Sequence, residues 1–114
     1  MFGNATALSQ STAIASGTAE TTIVTADANF RRNLTGLVIT TVNAVAATLT
    51  LRDATGGTAR AIFNYPNAAS APTTPLNITF DPPLQQTASN NNWTIQASAA
   101  AGAINITAMF VTGN

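Results

Sequence analysis

Asn92-Trp93-Thr94-Ile95-Gln96-Ala97-Ser98 and, after Ala99-Ala100-Ala101-Gly102, Ala103-Ile104-Asn105-Ile106-Thr107-Ala108-Met109-Phe110-Val111 decide the fold class of this chain. In the first run Trp93, Ile95 and Ala97 alternate with Asn92, Thr94 and Gln96; in the second Ile104, Ile106, Ala108 and Phe110 alternate with Asn105, Thr107 and Met109. A period of two places alternate side chains on one face of an extended strand. The short, glycine-containing bend between the runs predicts an antiparallel hairpin whose apolar row faces a core. Trp93 and Phe110 are its largest side chains, each burying roughly 150–250 Å² when enclosed. The rest of the chain is then expected to supply the opposite wall.

Working back, β-branched or alternating segments recur between turn signals. Thr18–Ala26 reads as a strand ended by Asp27-Ala28-Asn29. Leu34–Val42 has apolar residues at both parities, as in a central strand or one enclosed on both faces, and Gly36 within it predicts a bulge or a close backbone approach. Ala47–Arg52 puts Leu49 and Leu51 inward and Thr48, Thr50 and Arg52 outward. Asp53-Ala54-Thr55-Gly56-Gly57 is a turn, returning through Thr58–Tyr65. Arg52 and Arg60 flank it, in solvent or paired with Asp53; a surface pair contributes at most about 1 kcal/mol. Pro66–Pro75 holds three prolines and reads as a stiff loop of the kind that carries binding or assembly contacts. Leu76–Phe80 alternates again, with Leu76, Ile78 and Phe80 inward, and Asp81-Pro82-Pro83 is expected to end it. Leu84–Asn91 is a polar connection.

The sum is an all-β chain, a single antiparallel β-sandwich, jelly-roll-like, of seven to eight strands, the eighth coming from the N-terminal segment. An immunoglobulin-like order fits the same pattern. Residues 1–17 carry few large apolar side chains and are expected as a flexible N-terminal arm, unstructured or docked on a neighbouring subunit; residues 18–114 are the sandwich domain.

Composition excludes most chemistry. The 114 residues contain no cysteine and no histidine, which removes thiolate nucleophiles, disulfides, and the commonest general base and transition-metal ligand. Charge is limited to Glu20, Asp27, Asp53, Asp81, Arg31, Arg32, Arg52 and Arg60, for a net charge of zero. No basic face exists to recruit nucleic acid by counterion release. No apolar run approaches a membrane span, and Met1–Thr6 has the features of no secretory signal. Asp27, Asp53 and Asp81 each border a turn or break, where aspartate is expected for turn chemistry alone. We therefore assign no catalytic, cofactor-binding or metal-ligating residue and expect no enzyme. Asn-x-Thr triplets at Asn4, Asn33, Asn77, Asn92 and Asn105 follow from strand alternation and are not read as glycosylation sites. Trp93 and Tyr65 are too few for a carbohydrate platform, and Trp93 shares inward parity with Ile95.

The segments Thr22–Ala26, Arg31–Ile39, Leu49–Asp53, Ile78–Leu84, Asn92–Ala97 and the final strand, in this order, resemble the small head decoration (cement) proteins of tailed phages. That family has no shared motif from which site residues are carried over. The resemblance implies a virion structural protein on the capsid surface, made in the host cytoplasm. It implies trimers or pseudo-trimers that bind the major capsid protein and bridge neighbouring capsid subunits. A low-charge sandwich has few means of blocking its own strand edges, so an assembled state is physically coherent. The alternatives are a receptor- or glycan-binding module of a tail fibre or baseplate, and a pilus or surface-layer subunit.

Overall fold

The computed structural model describes residues 7–14, 17–41, 47–65, 76–99 and 104–113. They form eight strands: β1 (Ala7–Ile14), β2 (Thr21–Val24), β3 (Arg31–Thr41), β4 (Ala47–Arg52), β5 (Ala59–Tyr65), β6 (Leu76–Leu84), β7 (Trp93–Ala97) and β8 (Ile104–Gly113). One sheet has the order β1-β8-β3-β6 and the other β2-β7-β4-β5. All pairings are antiparallel, and β1 with β8, β2 with β7, β3 with β6 and β4 with β5 form a nested series. A nested hairpin wrapped over two four-stranded sheets is jelly-roll topology, which removes the immunoglobulin-like alternative.

Alternation builds the core. Leu49 and Leu51 from β4 and Trp93 and Ile95 from β7 are buried against Leu34, Leu37 and Ile39 from β3 and Ile106, Ala108 and Phe110 from β8. β3 is central, between β8 and β6, and its apolar residues occupy both parities because a bulge shifts the inward row from Leu34 to Leu37 and Ile39, while Val38 on the other face is only half buried. The expected irregularity at Gly36 is present. Leu34 pairs with Phe110 and Gly36 with Met109, so Thr35 is the extra residue of a bulge. The bulge brings backbone close: a Cβ on Gly36 would lie 2.9 Å from the Ile78 carbonyl oxygen.

The structure corrects three expectations. First, the two C-terminal runs are strands but not a hairpin. β7 pairs with β2 and β4 in one sheet, and β8 pairs with β1 and β3 in the other. Their apolar rows face each other across the core and line both walls.

Second, the segment expected as a flexible arm contains β1, whose eight residues pair with Val111 back to Ile104. The long β8 supplies a backbone ladder, so this strand needs little apolar burial, and Leu8 remains 37% exposed. β1 thus lies ahead of the expected boundary at residue 18; residues 1–6 and 15–16 lie outside the described residues.

Third, Asp81-Pro82-Pro83 lies inside β6. Between the pairs Gly36↔Thr79 and Leu34↔Leu84 the register slips, and the prolines fall in that bulge on an edge strand, where missing N–H donors cost no ladder bond. The proline-rich loop 66–75 lies outside the described residues.

Candidate functional site

Three connections meet at one end of the sandwich: residues 25–30 after β2, 53–58 after β4 and 85–92 after β6. The chain offers turn-forming residues in each, and buried polar side chains bind them together. Asp27 accepts the backbone N–H groups of Asn29 at 2.8 Å and Phe30 at 3.3 Å, the self-bonding that makes aspartate favour turns. Its own carbonyl takes the N–H of Asn90, a residue with φ of 63°. Asn92 accepts the N–H of Ala26 at 2.7 Å.

Gln86 is fully buried beneath these loops. Its amide oxygen accepts the Arg32 N–H at 2.9 Å, its amide nitrogen donates to the Asn91 carbonyl at 2.6 Å, and its backbone N–H donates to Asn33 Oδ1 at 3.0 Å. The Trp93 indole N–H donates to the Arg32 carbonyl at 2.6 Å, which satisfies the one polar atom of the largest core side chain. Arg32 itself reaches the Thr25 carbonyl at 2.9 Å and lies over the Phe110 ring, 5.1 Å from its centroid.

Asp53, expected as a turn residue with a surface pairing, is instead buried. Its Oδ2 accepts Arg60 Nη1 at 2.5 Å and both the N–H and hydroxyl of Thr87 at 2.7 Å. Burial pushes this carboxyl up, but the Thr87 donors and the Arg60 guanidinium outweigh it and hold its pKa below the usual value. Arg60 also lies 5.9 Å from the Trp93 ring centroid. On the outer face of the β2-β7-β4-β5 sheet, Glu20 accepts the Thr94 hydroxyl and the Gly56 N–H, with Arg52 at 4.0 Å. The Thr94 hydroxyl bond leads in lowering its pKa; desolvation opposes, and Gly56 and Arg52 assist. Asp27 is likewise lowered, chiefly by the Asn29 N–H.

Chemically, this arrangement holds shape. Glu20, Asp27 and Asp53 are occupied as acceptors for loop donors and arginines, not poised as bases. Among the described residues no group of three metal-capable side chains comes together. Among the described residues no helix is long and apolar enough to cross a membrane. Trp93 is core, as its parity predicts, and Asn33 of the Asn-x-Thr triplets is buried while Asn77 and Asn105 are exposed.

The features that can meet a partner lie on the surface around this scaffold. Phe30, held by the Asp27 turn, is 43% exposed at the loop end, and Ile62 on β5 is 62% exposed. Between the edge strands β5 and β6, Phe63, Leu76, Ile78 and Phe80 pack on the core but are only half buried. Sequence reading missed Phe30 and Ile62 because neither breaks a pattern: a lone apolar residue among polar neighbours has no partner visible in one dimension.

No family model matches the chain, and no curated protein matches it. Among solved structures, a chain of the cyanophage Pam1 capsid asymmetric unit superposes with a TM-score of 0.50. The match covers 95% of this chain and 84% of that one at 18% identity. It shows a shared fold.

Proposed function

We propose that this chain is a non-enzymatic structural protein of a phage virion, seated on the outside of the capsid. There it binds the major capsid protein and stabilises the shell by bridging neighbouring capsid subunits. The observation that carries this reading is the likeness, over nearly the whole chain, to a chain within a cyanophage capsid asymmetric unit. Two features support it. Glu20, Asp27 and Asp53 at the loop end are spent on holding loops and arginines, as suits a rigid structural body. Apolar side chains stay exposed on a body with zero net charge, as suits contacts made by burial and backbone pairing. The trimeric state and the capsid-bridging role follow the resemblance to decoration proteins and form part of the proposal.

Immunogold labelling of intact particles from the lysate that yields this chain tests the reading. The proposal expects label spread over the whole head. Label confined to the tail tip would favour a receptor- or glycan-binding module, with Phe30 as its exposed aromatic, and absence of label from particles would end the virion reading.

A further inference from the structure

The sandwich has four strand edges, and they are not equally protected. β2 is four residues long, and its neighbour across the sandwich, β1, ties to it through Gln10, which bonds both the backbone N–H and the hydroxyl of Thr25. β1 itself carries Ser9, Gln10, Ser11 and Thr12 along its edge. β6 carries Asp81, Pro82 and Pro83 within a bulge, each a device that blunts pairing. β5 has none of these over its outer half. Residues 61–65 pair regularly with β4 and contain no proline and no charge. Its one charged side chain, Arg60, is drawn away to buried Asp53 and cannot act as a gatekeeper. Among the described residues no strand covers its outer side, and Ile62, at 62% the most exposed large apolar residue, projects from its middle.

The sequence of this edge is complementary to itself. In an antiparallel pairing centred on Ile62, each Ile62 opposes its copy on the outer face, and Ala61 opposes Phe63 twice on the inner face. A small residue thus meets a large one beside the half-buried mouth of the sandwich. With zero net charge, two copies approach without repulsion. We propose that β5 is a docking edge for a second copy of this chain, joined strand to strand about a two-fold axis at Ile62. This joins two four-stranded sheets into one of eight. The inference goes beyond the virion reading and stands without it; on a shell, the same contact would tie neighbouring units to each other. A single strand pair is smaller than the roughly 1,000 Å² of a stable interface, so association in solution is concentration-dependent and strengthens where copies are crowded.

The chain has no cysteine, so single cysteines report on geometry cleanly. Directly opposed residues in an antiparallel pair have Cα atoms about 4.5–5.5 Å apart, within disulfide reach. Full-length Ile62→Cys, oxidised at about 100 μM, is expected to form covalent dimer on denaturing gels at least tenfold faster than Asn64→Cys on the same strand or Thr79→Cys on β6. Because the gel reports covalent pairs, the result is independent of whether the chain is also trimeric. Ile62→Lys, with its circular dichroism checked against wild type, is expected to abolish the rise in light-scattering mass that wild type shows on concentration. Equal crosslinking of the three cysteine variants would overturn the proposal, as would unchanged mass behaviour in folded Ile62→Lys. Loss of particle binding in Ile62→Lys without any self-association of wild type would also overturn it, assigning the edge to a strand of a different protein.

Discussion

The indole nitrogen of Trp93 lies 2.6 Å from the carbonyl oxygen of Arg32, joining the first residue of β7 in one sheet to the second residue of β3 in the other. The bond lets the bulkiest side chain of the core sit fully enclosed with no polar atom left unmet. Trp93→Phe should therefore cost roughly 1–3 kcal/mol through the unpaired carbonyl and lost volume, and Trp93→Ala roughly 3–5 kcal/mol. Denaturant titrations followed by circular dichroism measure both; equal stability of wild type and Trp93→Phe would show that the bond contributes nothing.

Asp53 separates a buried charge from a surface one. Removing it strands Arg60 and two Thr87 donors, so Asp53→Ala is expected to lose roughly 3 kcal/mol. Arg52, whose contact with Glu20 is 4.0 Å and partly solvated, should lose no more than about 1 kcal/mol as Arg52→Ala. Similar midpoints for the two variants would contradict the distinction.

Gly36 is required by space. A Cβ there meets the Ile78 carbonyl oxygen at 2.9 Å and the Met109 methyl at 3.1 Å, and the backbone of a paired strand cannot give way cheaply. Gly36→Ala should destabilise by roughly 1–3 kcal/mol, the range for overpacking, whereas an alanine at an open strand position would be neutral or better. A thermal melt of the variant at or above the wild-type midpoint would refute this.

Acid should unfold the protein through three carboxylates. Glu20, Asp27 and Asp53 all have folded-state pKa values lowered from their ordinary ones. A depressed carboxylate contributes stability that is complete above its unfolded pKa, about 4, and is lost as pH falls through the lower folded value. The chain has no histidine, the side chain that ordinarily titrates between about pH 5 and 8. Urea midpoints should be flat across that window and fall below about pH 4. A midpoint that moves between pH 6 and 8 would show that another group governs stability.

Strand identity was legible because period-two alternation records which side of a strand is dry. Leu49, Leu51, Ile95, Ile106 and Phe110 are all buried on the face their parity gave them. Parity says nothing about which sheet a strand joins. Trp93 and Phe110 both point inward whether their strands are hydrogen-bonded neighbours or opposing walls, and they are opposing walls. β1 is legible only as an optional eighth strand for the converse reason: a strand held by the backbone of β8 needs little apolar side chain to announce it. Asp53 reads as a turn residue because its burial depends on Thr87 and Arg60, one of them 34 residues away. Ile62 marks the open edge only once the sheet order is known.

Heat stability of the capsid tests the central claim most directly. Virions containing this chain, the same particles stripped of it, and stripped particles with purified chain added back would be heated with a DNA-binding dye to record the temperature of genome release. The account predicts that stripping lowers that temperature and add-back restores it, with binding little affected by salt because burial and backbone contacts supply the energy. Stripped and restored particles that release DNA at the same temperature would contradict a shell-stabilising role.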